Sequence, residues 1–181
     1  MKIRNAFIVT LFTMAIASLG FAQNPMVGGH DMSPQKNIIQ NAVNSDDHTT
    51  LVAAVKAAGL VDTLSGAGPF TVFAPTNEAF AKLPAGTVDN LVKPENKETL
   101  TKILTYHVVA GKLTSNDLKK KIKEGHGTAE LTTVQGEKLE ATMDGKNLAL
   151  KDAKGGTSTV TIANVMQSNG VIHVVGTVLM P

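Results

Sequence analysis

The apolar period of this chain changes once, near residue 125, and that change limits its fold more than any single motif does. Upstream, apolar residues recur at helical spacing: Leu51, Ala54, Val55 and Ala58 in one segment, Leu100, Ile103 and Leu104 in another. Downstream, Leu139, Ala141 and Met143 alternate with Lys138, Glu140, Thr142 and Asp144, and Leu148 and Leu150 resume the alternation after Asp144-Gly145, a hairpin-turn signal. Val160 and Ile162 alternate with threonines. The run Val171 to Val175 is apolar on both faces, which predicts a central strand entered through the turn pair Asn169-Gly170. Helices first and strands later predict an α+β domain with mainly antiparallel sheets, because alternating βαβ units would interleave the two periods.

Local start and stop signals sharpen this outline. Asp47 is placed to cap the helix that carries Leu51, and Gly59 permits its left-handed exit. Phe70 to Ala74 is a strand of strong β-formers, stopped by Pro75, which has no amide hydrogen for a ladder. Thr76 then caps a helix in which Glu78 suits the positive end of the dipole and Ala79, Phe80 and Leu83 give the apolar contacts. Pro94 suits a first helical turn, and His107 is the next position on the Leu100–Leu104 stripe. A further helix, capped by Ser115, turns Leu118 and Ile122 inward and carries Lys119, Lys120, Lys121 and Lys123 on its other side. Such a run is ordinarily a solvated face; the sharper reading is a contact for acidic polysaccharide or an anionic surface.

Residues 1–22 read as a secretory signal: Lys2 and Arg4, an apolar run from Ala6 to Phe21, and Gly20 and Ala22 before a cleavage point at Gln23. That run is short for a membrane span, so no transmembrane anchor is expected, and the protein is placed outside the cytoplasm, secreted or periplasmic. Processing leaves about 160 residues, enough for one domain of roughly 100–200. Residues 23–34, rich in Pro, Gly and Met, are expected to be flexible, with a single domain over 35–181. The chain has 17 Lys+Arg against 15 Asp+Glu, and two of the basic residues leave with the leader. The mature chain is thus formally neutral, which argues against nucleic acid as a partner.

Every basic residue after Arg4 is lysine, so bidentate guanidinium recognition of phosphate is not available. The absence of cysteine rules out disulfides, thiolate metal sites and a cysteine nucleophile. No nucleophile elbow, zinc-protease motif, phosphate loop or dinucleotide fingerprint occurs, and Gly66-Ala67-Gly68-Pro69 leads into a strand where a phosphate site needs a helix. These features predict a protein that is not an enzyme and needs no cofactor. Met26, His30 and Met32 are soft ligands that suit copper, although their spacing fixes no coordination geometry. His107 and His173 sit among apolar neighbours, the usual setting of a hydrogen-bonded core imidazole.

Three separated segments resemble one family, the fasciclin domain. They are Thr71-Val72-Phe73-Ala74-Pro75-Thr76-Asn77-Glu78-Ala79-Phe80, the pair Tyr106-His107, and Asn169-Gly170-Val171-Ile172-His173. The resemblance runs from near Lys36 to Pro181 and implies a wedge of two twisted β-sheets with helices packed along one edge. It implies scaffolding roles for Thr71, Phe73, Pro75, Thr76, Asn77, Phe80, Asn169, Gly170 and His173. In animal members, integrin adhesion is tied to the tyrosine-histidine pair and to an Asp-Ile pair. Tyr106-His107 matches the first, whereas Asn164-Val165 stands where the second would be and lacks the carboxylate that a hard cation requires. The resemblance thus implies a non-enzymatic module for adhesion, or for association with a cell-surface or matrix protein or polysaccharide, with weak self-association as one route to bridging surfaces. The alternative is a periplasmic carrier or sensor of a small apolar or metal ligand.

Overall fold

The computed structural model describes residues 24–181, so the expected leader and its cleavage point lie outside the described residues. A short hairpin comes first, β1 (Met26–Val27) and β2 (His30–Asp31), followed by α1 (Ile38–Ala42), a 3-10 turn at Asp46–His48, α2 (Thr49–Ala58) and α3 (Val61–Ser65). Strand β3 (Phe70–Pro75) leads into α4 (Asn77–Ala81) and α5 (Thr87–Leu91). A 3-10 turn at Pro94–Asn96 then introduces α6 (Lys97–Tyr106), β4 (Val108–Ala110) and α7 (Ser115–Glu124). Strands β5 (Thr128–Thr132), β6 (Lys138–Asp144), β7 (Asn147–Lys151), β8 (Thr157–Gln167) and β9 (Gly170–Val175) complete the chain. The change of period near residue 125 marks the end of the helices, since α1 to α7 lie before it and only strands β5 to β9 follow, although β1 to β4 are interspersed upstream.

Seven strands pair in the order β4-β3-β9-β8-β7-β6-β5. Two sheets share the eleven-residue β8, which pairs with β7 through Thr157–Thr159 and with β9 through Val160–Gln167. Register shifts between Val160, Ile162 and Val165 bend it where it passes from one sheet to the other, as bulges do. All ladders are antiparallel except β3 with β9, which run parallel with Phe73 opposite His173. The two outer strands also meet, through a bridge between Val109 and Thr133 and a bond from the Val134 amide to the Val108 carbonyl. All six residues of β9 are buried, as a central strand requires.

Two apolar cores result. One lies between the helices and the β3–β9 pair, around Val55, Leu64, Val72, Leu104 and Ile172. The other lies under α7, around Tyr106, Leu118, Leu139, Leu150 and Leu179. Leu51, Ala54, Val55 and Ala58 form the buried stripe of α2, and Gly59 exits left-handed at φ 74°.

Three local expectations are corrected. Asp47 does not cap α2; its first turn is satisfied from α4, where Asn77 Oδ1 accepts from the Thr50 amide at 3.0 Å. The cap of α7 is Thr114, one residue before Ser115, in a reciprocal box with Asp117. The segment expected to be flexible is instead a packed hairpin: Val27 and Met32 are buried, and Asn24 pairs its amide group with both backbone groups of Met166 on β8. With Met32 in the core while Met26 and His30 are exposed, the three soft ligands do not share a face.

Candidate functional site

The three sequence boxes meet along the β3–β9 pair, and apart from the exposed Glu78 their polar side chains are engaged internally. Thr71 Oγ1 donates to the Gly111 carbonyl at 2.6 Å and accepts from the Leu113 amide at 2.8 Å, fixing the loop that leads to α7. Asn169 Oδ1 accepts from the Ile38 amide, while its NH2 donates to the carbonyls of Leu64 and Gly66. One buried amide thereby joins α1, α3 and the turn before β9. Thr76 caps α4 through the Ala79 amide, and Asn77 also donates to the Asp46 carbonyl at 2.8 Å. Pro75 and Phe80 are buried, and Gly170 lies so close to Phe70 that a Cβ there would collide with its carbonyl oxygen.

Each box histidine is locked as a neutral tautomer. His173 stacks on Phe73 with ring centroids 5.7 Å apart, and its Nε2 donates to the Leu113 carbonyl at 2.8 Å. Burial holds its pKa below the ordinary imidazole value. His107 donates from Nδ1 to the Ile103 carbonyl at 2.9 Å, and its Nε2 accepts from the Leu179 amide. Burial lowers its pKa to about 4, against weaker opposing effects of the Ile103 carbonyl and the Asp152 charge. The neighbouring Tyr106 points into the other core, where its hydroxyl donates to the Lys138 carbonyl and accepts from the Ala153 amide. Burial raises its pKa, so it stays protonated.

Of the four positions expected as binding residues, Tyr106, His107 and Val165 are buried and Asn164 is half-buried. Tyr106 and Val165 are 0 % and 1 % exposed, and His107 is 2 % exposed. Asn164, half-buried with φ 61°, is tied to α7 by accepting from the Ser115 amide and donating to Ser115 Oγ, each at 2.7 Å. A partner could reach none of these four in full without opening the core. Among the described residues no three His, Cys, Asp or Glu side chains gather as a metal site, and no helix is long and apolar enough to cross a membrane.

A fasciclin domain model matches residues 46–181, which include all three boxes. This chain belongs to the fasciclin domain family. The fasciclin domain here is 50 % identical to Synechocystis protein sll1483 over 145 residues, covering 80 % of this chain and 73 % of that protein. It is 34 % identical to immunogenic protein MPB70 of Mycobacterium bovis, aligned over 100 % of this chain and 99 % of that one. Transforming growth factor-beta-induced protein ig-h3 of Sus scrofa is 36 % identical over 151 residues, 83 % of this chain but only 20 % of ig-h3. Among solved structures, a FAS1 domain pair from the insect cell adhesion molecule Fasciclin I superposes with a TM-score of 0.71 at 19 % identity, over 81 % of this chain and 51 % of that one. That likeness is one of fold, and the family occurs in adhesion-related proteins.

Two features of this fasciclin domain escape sequence reasoning. The exposed face of α7 carries Lys119, Lys120, Lys121 and Lys123, and among the described residues Lys120 alone of the four has a salt bridge, to Glu124 at 3.9 Å. The run was visible in sequence, but its nearly unpaired state was not. The second is a buried imidazole, His48, which sits between polar helix-start residues and so gave no apolar context to mark it.

Proposed function

We propose that this fasciclin domain is an exported, non-enzymatic adhesion module that associates with an extracellular polysaccharide or surface protein through its exterior. The observation that carries the reading is that the buried polar side chains of the family boxes, Thr71, His107, Asn169 and His173, are spent on the fold, which leaves recognition to the outer faces. The leader-like first 22 residues support export, secreted or periplasmic. The contact face is the lysine side of α7, whose four ammonium groups lie within five residues of chain and suit a linear acidic glycan. One domain presents one such face, so bridging two surfaces requires weak self-association or a tether.

The test is retention of the purified domain on immobilised acidic and neutral polysaccharides at rising salt. Retention on the acidic polymer that falls with salt, and is lost when the four lysines are changed to glutamine, supports the proposal. Equal retention of wild type and variant removes α7 as the contact. Failure of crosslinking in producing cells to capture any surface component removes the adhesion role itself.

A further inference from the structure

Beneath the β1–β2 hairpin the helix-side core holds a partly open cavity of ≈ 40 Å³. Val27 and Met32 roof it, Val55 of α2 forms a wall, and Val72 and Ile172 of the paired strands form its floor. The lining is almost wholly apolar, with His48 as one exception. That ring is 3 % exposed, and its Nδ1 is bonded to Ser45 Oγ at 2.8 Å. Its Nε2 is buried and makes no well-formed hydrogen bond; the Ala74 carbonyl faces the ring and favours its protonated form, but not in the geometry of a full bond. His107 and His173 are bonded through both ring nitrogens, so His48 stands apart.

A buried polar atom without a full hydrogen bond is destabilising, which rewards any occupant that bonds it. Water is a poor occupant, because a buried water needs two to four polar partners and beside His48 the lining offers only a Ser45 hydroxyl and a His107 ring that are already engaged. An apolar cavity of about 150 Å³ admits benzene and about 10–15 Å³ admits a water, so this one holds a few non-hydrogen atoms. We propose that the cavity is a binding site for a small amphiphile, a short aliphatic alcohol or the hydroxyl-bearing end of a longer chain, with its apolar part under the hairpin and its oxygen bonded to His48 Nε2.

The hairpin is the gate of this site. One of its attachments to the body is the Asn24 amide, which accepts from the Met166 amide at 2.9 Å and donates to the Met166 carbonyl at 2.7 Å. Loosening that clamp should let the roof open more often while the walls, which belong to other elements, stay in place.

The proposal is tested by titrating 1-propanol into the full domain labelled with 15N at histidine and 13C at methyl groups, with xenon as an apolar comparator. The expected result is a saturable change at His48 Nε2 together with the Met32, Val55 and Ile172 methyl groups. Val165→Ile adds one methylene to the lining and should weaken the response about tenfold while leaving the domain folded. Asn24→Ala should speed exchange with the same final shifts. Xenon entry with no response of His48 to propanol, non-saturating drift, or shifts that ignore Val165→Ile would overturn the site. The α7 lysine-to-glutamine variant should bind propanol as wild type does, so loss of the adhesion reading and loss of this one are separable.

Discussion

The Leu179 amide donates to Nε2 of His107 at 3.0 Å, joining residues 72 positions apart in the chain. The last residues are thereby fastened by a ring that can accept only while neutral, and Asp152 adds a second fastening by accepting from the Met180 amide.

Acid should loosen this closure over a defined range. The pKa of His107 is lowered to about 4 in the folded protein from 6.5, so as pH falls below about 6.5 the unfolded chain takes up the proton first. The stabilisation from burying the neutral ring is complete above about pH 6.5 and is lost progressively down to about pH 4, a total of about 3 kcal/mol. His48 and His173 are shifted the same way by burial and steepen the loss. Urea midpoints should fall steadily between pH 7 and 4.5. His107→Gln should be less stable at pH 7 yet flatten the slope by up to about 1.4 kcal/mol per pH unit. Midpoints that do not change with pH would refute the assignment.

Asn77 should act as a cap for a helix other than its own. Its Oδ1 serves the Thr50 amide and Thr49 hydroxyl at the start of α2, and its NH2 serves the Asp46 carbonyl. Asn77→Ala should cost about 1–2 kcal/mol in chemical denaturation. Asn77→Asp should recover part of this, since it keeps the acceptor and loses the donor. If alanine and aspartate cost the same, the cap is not what stabilises α2.

What the sequence made legible was local. The stripe of α2, the Thr76 cap and the two-faced character of Val171–Val175 each follow from residues within one element, and each appears in the structure. What it hid depends on partners far along the chain. The cap of α2 comes from Asn77, 27 residues beyond the amide it serves. The hairpin after Asn24 is ordered by a side chain 142 residues from its partner, so its Pro, Gly and Met content read as flexibility. Fold, family and the core setting of His107 and His173 therefore emerged from sequence, whereas the burial of Tyr106 and Val165 did not, because a motif position does not by itself distinguish a core residue from a contact residue.

Asn164 should be sensitive to change for two independent reasons. It occupies the left-handed region at φ 61°, where asparagine is tolerated better than most residues, and its amide group holds Ser115 at the start of α7. Asn164→Ala loses both advantages and should cost about 2–3 kcal/mol. Asn164→Gly relieves the backbone alone and should fall between alanine and wild type in thermal denaturation. Equal melting temperatures for the three proteins would show that α7 does not depend on this tie.

Gly28 offers the sharpest test that the hairpin is packed. At φ 57°, its added Cβ would come within 2.5 Å of Ser45 Oγ and 2.7 Å of the Asp46 amide nitrogen, whereas Gly29, at φ 75°, faces open space. Gly28→Ala combines strain with collision and should release the hairpin from the body. Gly29→Ala should cost only the backbone strain of about 1 kcal/mol. Hydrogen exchange separates them: amides of residues 26–32 should lose protection in Gly28→Ala while those of β9 keep theirs, and Gly29→Ala should resemble wild type. Equal protection of the hairpin in both variants would mean that its turn does not rest against Ser45.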